Sequence, residues 1–183
     1  MKNQQVIVLV VGPDMCGKTQ IAKALAVKLG ATYYKASNEH KRFLGDQNSF
    51  LNELRFADPA RLDIIKQSGV SIVFDRGFPC EFVYSQYFGR TTDTAVLLEL
   101  DRQYAELGAV IVFATRMSFD GISDDLDDRI GPEQLKYISS LYDTFIQATR
   151  CSVLKLYVDD EDLVRELTDI EWFMKGVKED EQK

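Results

Sequence analysis

The chain has 183 residues, 45% of them hydrophobic and 28% charged, with a formal net charge of −7. That size and composition point to one domain with a sizeable core and exclude wholesale disorder. The negative balance argues against a protein that wraps nucleic acid or coats an anionic membrane, since both need a basic surface, but it leaves room for a local basic pocket.

The first element is VIVLVV, residues 6–11, which reads as a buried strand. It is too short to span a membrane, and Gly12-Pro13-Asp14 follows it where a signal peptide would carry a small-residue cleavage site. Thr19 to Leu29 then has a helical pattern, with Ile21, Ala22, Leu25, Ala26 and Leu29 on one side. ATYY (31–34) is a weaker strand candidate. Residues 47–69 read as two short helices broken at Asp58-Pro59. SIVF (71–74) and AVIVFA (109–114) are apolar almost throughout, as strands covered on both faces are. Two helices, 79–88 and 93–107, lie between them. Residues 116–131 have little apolar periodicity, and a connection of that length is commonly a lid or binding loop. Pro132 suits the first turn of a helix running to Thr149, with Leu135, Ile138, Tyr142 and Phe145 on one side. VLKLYV (153–158) and a helix over 160–174 complete the order, and the C-terminal KGVKEDEQK is expected to fray.

Strands alternating with helices imply an α/β fold of three layers, a five-stranded parallel sheet flanked by helices, in a single domain over 1–183. Cys16, Cys80 and Cys151 form neither a disulfide framework nor a zinc spacing, so a reducing cytoplasm is the simplest location. The single histidine, His40, lies beside Glu39 and Lys41 and reads as a surface residue.

Gly12-Pro-Asp-Met-Cys-Gly17-Lys18-Thr19 fits G-x-x-x-x-G-K-[ST] between a strand and a helix, the context of a P-loop NTPase. Glycines allow the tight dihedrals that turn backbone N–H groups inward, and the helix N-terminus attracts anionic oxygens. Gly12, Asp14, Cys16, Gly17, Lys18, Thr19 and Gln20 are therefore the candidates for binding ATP. Lys18 is expected to face solvent and reach the β- and γ-phosphates, and Thr19 to ligate Mg²⁺. Asp75-Arg76 ends the next strong strand, so it faces the same crevice beyond the carboxyl ends of the sheet. The aspartate there either holds Mg²⁺ or accepts a hydroxyl proton. The arginine's planar fork bridges donor and acceptor phosphates.

With GPDMCGKT and DRGFPCEFVYSQYFGR, the chain resembles the thymidylate kinase group of P-loop nucleotide kinases, particularly the compact versions found in phages. The resemblance covers roughly residues 5 to 175 in strand and helix order. It implies that Asp14 lies near the sugar of an acceptor nucleotide and Arg76 near its 5′-phosphate. Glu81 and Tyr84 would line the acceptor pocket, with Tyr84 alternatively part of the core. Arg42 and Arg55, in acceptor-covering helices over about 38–69, are candidates for the acceptor phosphate or for a solvated helix face. A homodimer is implied as well, with helix 93–107 as one candidate surface. Two departures stand out. Met15 occupies a place where some members carry an arginine, and the lid holds Asp120, Asp124, Asp125, Asp127 and Asp128 against only Arg116 and Arg129. One of those two arginines would have to serve the donor phosphates. The aspartates lack the glycine and terminal glutamate of a calcium loop.

The expected reaction is transfer from MgATP to a deoxynucleoside 5′-monophosphate, dTMP or a related pyrimidine nucleotide, including modified ones. The alternatives are a deoxynucleoside kinase with Asp75 as base and an ATP-dependent switch. Against a GTPase, the chain has no Asn-Lys-x-Asp segment.

Overall fold

The computed structural model describes residues 5–36, 49–122 and 130–180. Five strands form one sheet: β1 (Ile7–Val11), β2 (Thr32–Lys35), β3 (Ile72–Asp75), β4 (Val110–Thr115) and β5 (Ser152–Tyr157). All pairings are parallel and the spatial order is β2-β3-β1-β4-β5. Every residue of β1, β3 and β4 is buried, as their continuous apolar runs require when helices cover both faces.

The helices are α1 (Lys18–Leu29), α2 (Ser49–Asn52), α3 (Asp58–Ser68), α4 (Phe78–Tyr87), α5 (Thr94–Glu106), α6 (Pro132–Ala148) and α7 (Leu163–Asp180). The stripes read from the sequence are the buried ones: Ile21, Ala22, Leu25 and Ala26 on α1, and Leu135, Ile138, Tyr142 and Phe145 on α6. On α5, Leu97, Leu100 and Tyr104 face the core, and the Asp93 carboxylate caps the helix by accepting from the Val96 N–H at 3.3 Å. Among the described residues no helix is long and apolar enough to cross a membrane.

The expected break at Asp58-Pro59 is absent. A π-helical turn, Glu53–Ala57, joins α2 to α3 directly, and the Asp58 N–H reaches back five residues to the Glu53 carbonyl. Proline lacks an N–H and its ring crowds the carbonyl four residues earlier. The wider turn just before Pro59 accommodates both, so the helical path continues.

The connections out of β1 and β3 leave in opposite directions, one toward β2 and the other across to β4. A crevice opens where adjacent parallel strands diverge in this way, at their carboxyl ends. Val10 of β1 pairs in register with Asp75 of β3, so the loop after β1 and the Asp75-Arg76 segment begin side by side. At the start of that loop Gly12 has φ +143°, and a Cβ there would stand 2.0 Å from the Ala114 carbonyl oxygen of β4. Only glycine fits. Gly12→Ala is expected to destabilise the fold by at least about 2 kcal/mol, because rigid backbone lies on the other side of the contact. Urea unfolding of the variant beside the wild type measures this.

Candidate active site

The loop from Gly12 to Gly17 runs from β1 into α1, and Gly17, in the left-handed region at φ +62°, is the helix N-cap. Cys16 packs its side chain fully into the core, where burial pushes the thiol up to about 11, so its contribution to the loop is its backbone. Gln20 is exposed on the cavity rim. Lys18 is not solvent-facing as expected: it is only 5% exposed. Its ammonium curls across the loop, donating to the Pro13 carbonyl and lying 3.4 Å from Asp14 Oδ1. Burial lowers its proton affinity, and the neighbouring Arg76 lowers it further.

Asp14 ties three segments together. Arg76 donates to its Oδ1, Tyr84 donates to Oδ2 at 2.9 Å, and Lys18 stands beside it. Burial alone would raise the Asp14 carboxyl. Lys18 and Arg76 outweigh it and hold the group down at about 2, from 3.8. The reciprocal effect on Arg76 is that burial disfavours its charge while Asp14 restores it, leaving the guanidinium more firmly protonated than usual. Arg76 has φ +77°, uncommon for a residue with a side chain, and its N–H bonds the Val10 carbonyl at 3.0 Å. That kink aims the guanidinium back at the phosphate loop, 5.9 Å from the centre of the Tyr84 ring. Tyr84 also packs against Phe88 and Tyr142, so its two readings coexist: a core aromatic with its hydroxyl in the site.

Asp75 is fully buried at the end of β3. Its Oδ2 accepts from Thr19 Oγ1 at 2.7 Å and from the Tyr33 hydroxyl at 2.9 Å, with Lys35 at 3.7 Å. Among the described residues its Oδ1 has no hydrogen-bond partner. A hydroxyl against a carboxylate with one free buried oxygen, next to a phosphate loop, is a donor set that fits Mg²⁺, bound directly or through water. No cluster of three or more acidic, cysteine or histidine side chains suited to a metal occurs among the described residues, so phosphate oxygens would have to complete the shell. Sequence reasoning missed Tyr33 and Lys35, which reach the site only because β2 pairs with β3 in the register Lys35 to Asp75.

Two cavities meet here. The larger, about 860 Å³, holds the phosphate loop, Lys18, Thr19, Gln20, Lys35 and Arg116. The smaller, about 380 Å³, is walled by Phe50, Leu54, Tyr84 and Phe88, with Glu81 and Arg90 among its polar groups. Arg76, Tyr84 and Phe88 line both. Arg116 reaches over the loop, its Nε donating to the Met15 carbonyl at 3.1 Å and Nη2 to Glu161 at 3.0 Å. Arg116 is thus placed at the loop; the other lid arginine, Arg129, lies with residues 123–129 outside the described residues, as does Arg42. Of the two readings of Arg55, the solvated helix face is the one observed: it is exposed, lines neither cavity and pairs with the N-cap Asp93 at 2.7 Å.

Glu81 and Arg90 form a two-pronged pair, 2.9 and 3.3 Å, and the Arg90 guanidinium lies 4.0 Å from the centre of the Phe50 ring. Sequence reading overlooked Arg90. The signal was Gly89, which closes α4 in the left-handed region at φ +60° and turns the Arg90 N–H back onto the Ser85 carbonyl at 2.8 Å.

Solved structures share this fold. The chain is similar to the YorR protein of Bacillus subtilis, determined in complex with phosphorylated GDP, with a TM-score of 0.70 and 16% identity over 93% of this chain and 96% of that one. It is also similar to the thymidylate kinase of Ehrlichia chaffeensis, with a TM-score of 0.57 and 16% identity over 94% and 100%. A third is the deoxyadenosine kinase of M. mycoides with dCMP and dCDP bound, with a TM-score of 0.52 and 19% identity over 93% and 100%. No protein-family model matches the sequence, and no curated protein matches it. The fold is the three-layer P-loop NTPase fold of these kinases, with a five-stranded all-parallel sheet.

Because Asp14 binds a proton less readily in the folded chain than in the unfolded one, it contributes stability in full above about pH 4. That contribution is lost as the pH falls toward 2. The stability advantage of the wild type over Asp14→Asn is expected to shrink by about 2 kcal/mol between pH 4 and pH 2. Urea unfolding across that range reads it directly.

Proposed function

We propose that the protein transfers the γ-phosphoryl group of MgATP to a deoxynucleoside 5′-monophosphate, dTMP or a related pyrimidine nucleotide, including a modified one, giving the diphosphate. The observation that carries this reading is the shared wall. Arg76 and Tyr84 border both a phosphate-loop cavity and a smaller aromatic one, so a donor and an acceptor would meet at one guanidinium. The likeness to a thymidylate kinase, and to a deoxyadenosine kinase with dCMP bound, supports an acceptor of that size.

In this reading Lys18 and the loop N–H groups take the donor phosphates, and Arg116 screens them from above. Thr19 and Asp75 would hold Mg²⁺, which supplies charge neutralisation at the phosphate oxygens. Arg76, held by Asp14, bridges the two phosphates as the phosphoryl group passes. The acceptor phosphate is already ionised at neutral pH, so no strong base is needed. Phe50, Leu54 and Phe88 offer flat apolar surface to a base, and the Arg90 and Glu81 pair offers polar edges.

Asp75 as a general base for a nucleoside hydroxyl draws less support. Its carboxylate is committed to Thr19 and Tyr33, and it is not part of the aromatic cavity's lining. A switch without an acceptor would leave the second cavity without a role.

The test is ADP production from MgATP against a panel of deoxynucleosides and their 5′-monophosphates, with Lys18→Ala as the blank. Stimulation by monophosphates, dTMP first, is expected. Stimulation by nucleosides alone would replace this reading with a nucleoside kinase, and no stimulation by any acceptor would leave an ATPase. Arg90→Ala is expected to raise the acceptor KM about tenfold or more while the Kd for MgATP stays within about twofold, since Arg90 lines the smaller cavity and not the larger. Steady-state kinetics and calorimetry separate the two.

A further inference from the structure

The 860 Å³ cavity has two chemically different ends. One is the phosphate loop with its cations. The other is walled by the apolar side chains of Ile130, Val158 and Leu163. Glu166, in the first turn of α7, belongs to that second end. It is only 4% exposed, and among the described residues its carboxyl group has neither a hydrogen bond nor an ion pair. The charged groups around it are Arg165, Asp160 and Asp162 on its own turn and Arg116 from the end of β4. Both cations are engaged elsewhere. Arg165 is held by Asp160 at 2.6 Å and Asp169 at 3.1 Å, and Arg116 by Met15 and Glu161. Burial pushes the Glu166 carboxyl above the usual glutamate range. Its oxygens open onto the cavity, and a carboxyl placed at the apolar end of such a cavity has one obvious use.

We infer that Glu166 reads the base of the phosphoryl donor: its carboxyl oxygen accepts a hydrogen from the exocyclic 6-amino group of an adenine seated against Ile130, Val158 and Leu163. This rests on the assignment of the larger cavity to a nucleoside triphosphate. The chemistry is selective because a purine without the 6-amino group leaves the carboxyl oxygen without a donor at that place. Either protonation state of the carboxyl group accepts from the amino group, and the neutral one also donates to ring N1. The apolar walls give affinity without identity; Glu166 supplies the identity.

The experiment is calorimetric binding of the Mg²⁺ complexes of ATP and of purine riboside triphosphate, which lacks the 6-amino group. The full chain is used as wild type, Glu166→Leu and Glu166→Gln, without any acceptor. The wild type is expected to bind ATP about tenfold or more tightly than the analogue. Glu166→Leu is expected to bind ATP and purine riboside triphosphate equally. Glu166→Gln keeps the preference, because its amide oxygen still accepts. Equal binding of ATP and purine riboside triphosphate by the wild type would overturn the inference, as would an undiminished preference in Glu166→Leu. If Glu166→Leu does not fold, as judged by circular dichroism, the wild-type and Glu166→Gln measurements decide. Since nothing turns over, failure to phosphorylate any monophosphate would defeat the proposed reaction and leave this preference intact, and the reverse also holds.

Discussion

One carboxylate holds the carboxyl end of the sheet together. Asp14 accepts from Arg76 and Tyr84 and stands beside Lys18, so the phosphate loop, the segment after β3 and helix α4 converge on its two oxygens. Burying a lysine and an arginine within one site is unfavourable without an anion between them, since each loses hydration and repels the other. Asp14 offsets both effects, and its carboxyl is driven well down as a result. The arrangement amounts to a pair of cations fixed in place by the fold itself. For the proposed phosphoryl transfer, that rigidity would lower the cost of orienting them, as fixed dipoles and charges stabilise developing charge more effectively than water does.

That clamp depends in turn on the order of the strands. Arg76 can face Asp14 only because β3 lies directly beside β1, and because its left-handed backbone reverses the chain toward the loop. The Arg76 N–H bond to the Val10 carbonyl fixes the kink to the central strand. A residue with a side chain in that conformation carries a strain of about 1 kcal/mol or more, tolerated where the surroundings impose it. The same parallel pairing delivers Tyr33 and Lys35 to Asp75 from the edge strand.

Much of this was legible from residue pattern. The five strands, the helix after the phosphate loop and the stripe on α6 follow from apolar periodicity, because burial on a strand or a helix face demands those spacings. The phosphate loop and the Asp75-Arg76 segment were legible because each sits at the end of an unmistakable strand. What could not be read was lateral. Strand order is a property of crossovers, so nothing in the chain announces that Lys35 ends opposite Asp75. Arg55 fitted either a pocket or a solvated helix face, and only the fold, which brings Asp93 beside it, decides between them. Lys18 looked exposed by analogy with its chemistry, yet the loop carbonyl of Pro13 and the Asp14 carboxylate draw it inward. Glu166 carried no motif; its place in the cavity is visible only once β4 and α7 are brought together.

The π-helical turn has a consequence that concerns chain length more than side-chain identity. Phe50 and Asp58 both line the aromatic cavity although they are eight residues apart. At roughly 100° per residue, eight steps of an ordinary helix would leave them about 80° out of phase, whereas absorbing one residue leaves them only about 20° apart. The Glu53–Ala57 turn is that absorbed residue. The turn therefore works as a tolerated insertion. Removing one of residues 55–57 would leave seven ordinary helical steps from Phe50 to Asp58, still about 20° out of phase, and keep both on the wall. Homologous chains that differ by a single-residue gap at this point would then share the shape of this cavity, whereas a further inserted residue, with no wider turn to absorb it, would rotate one half of the wall away from the other.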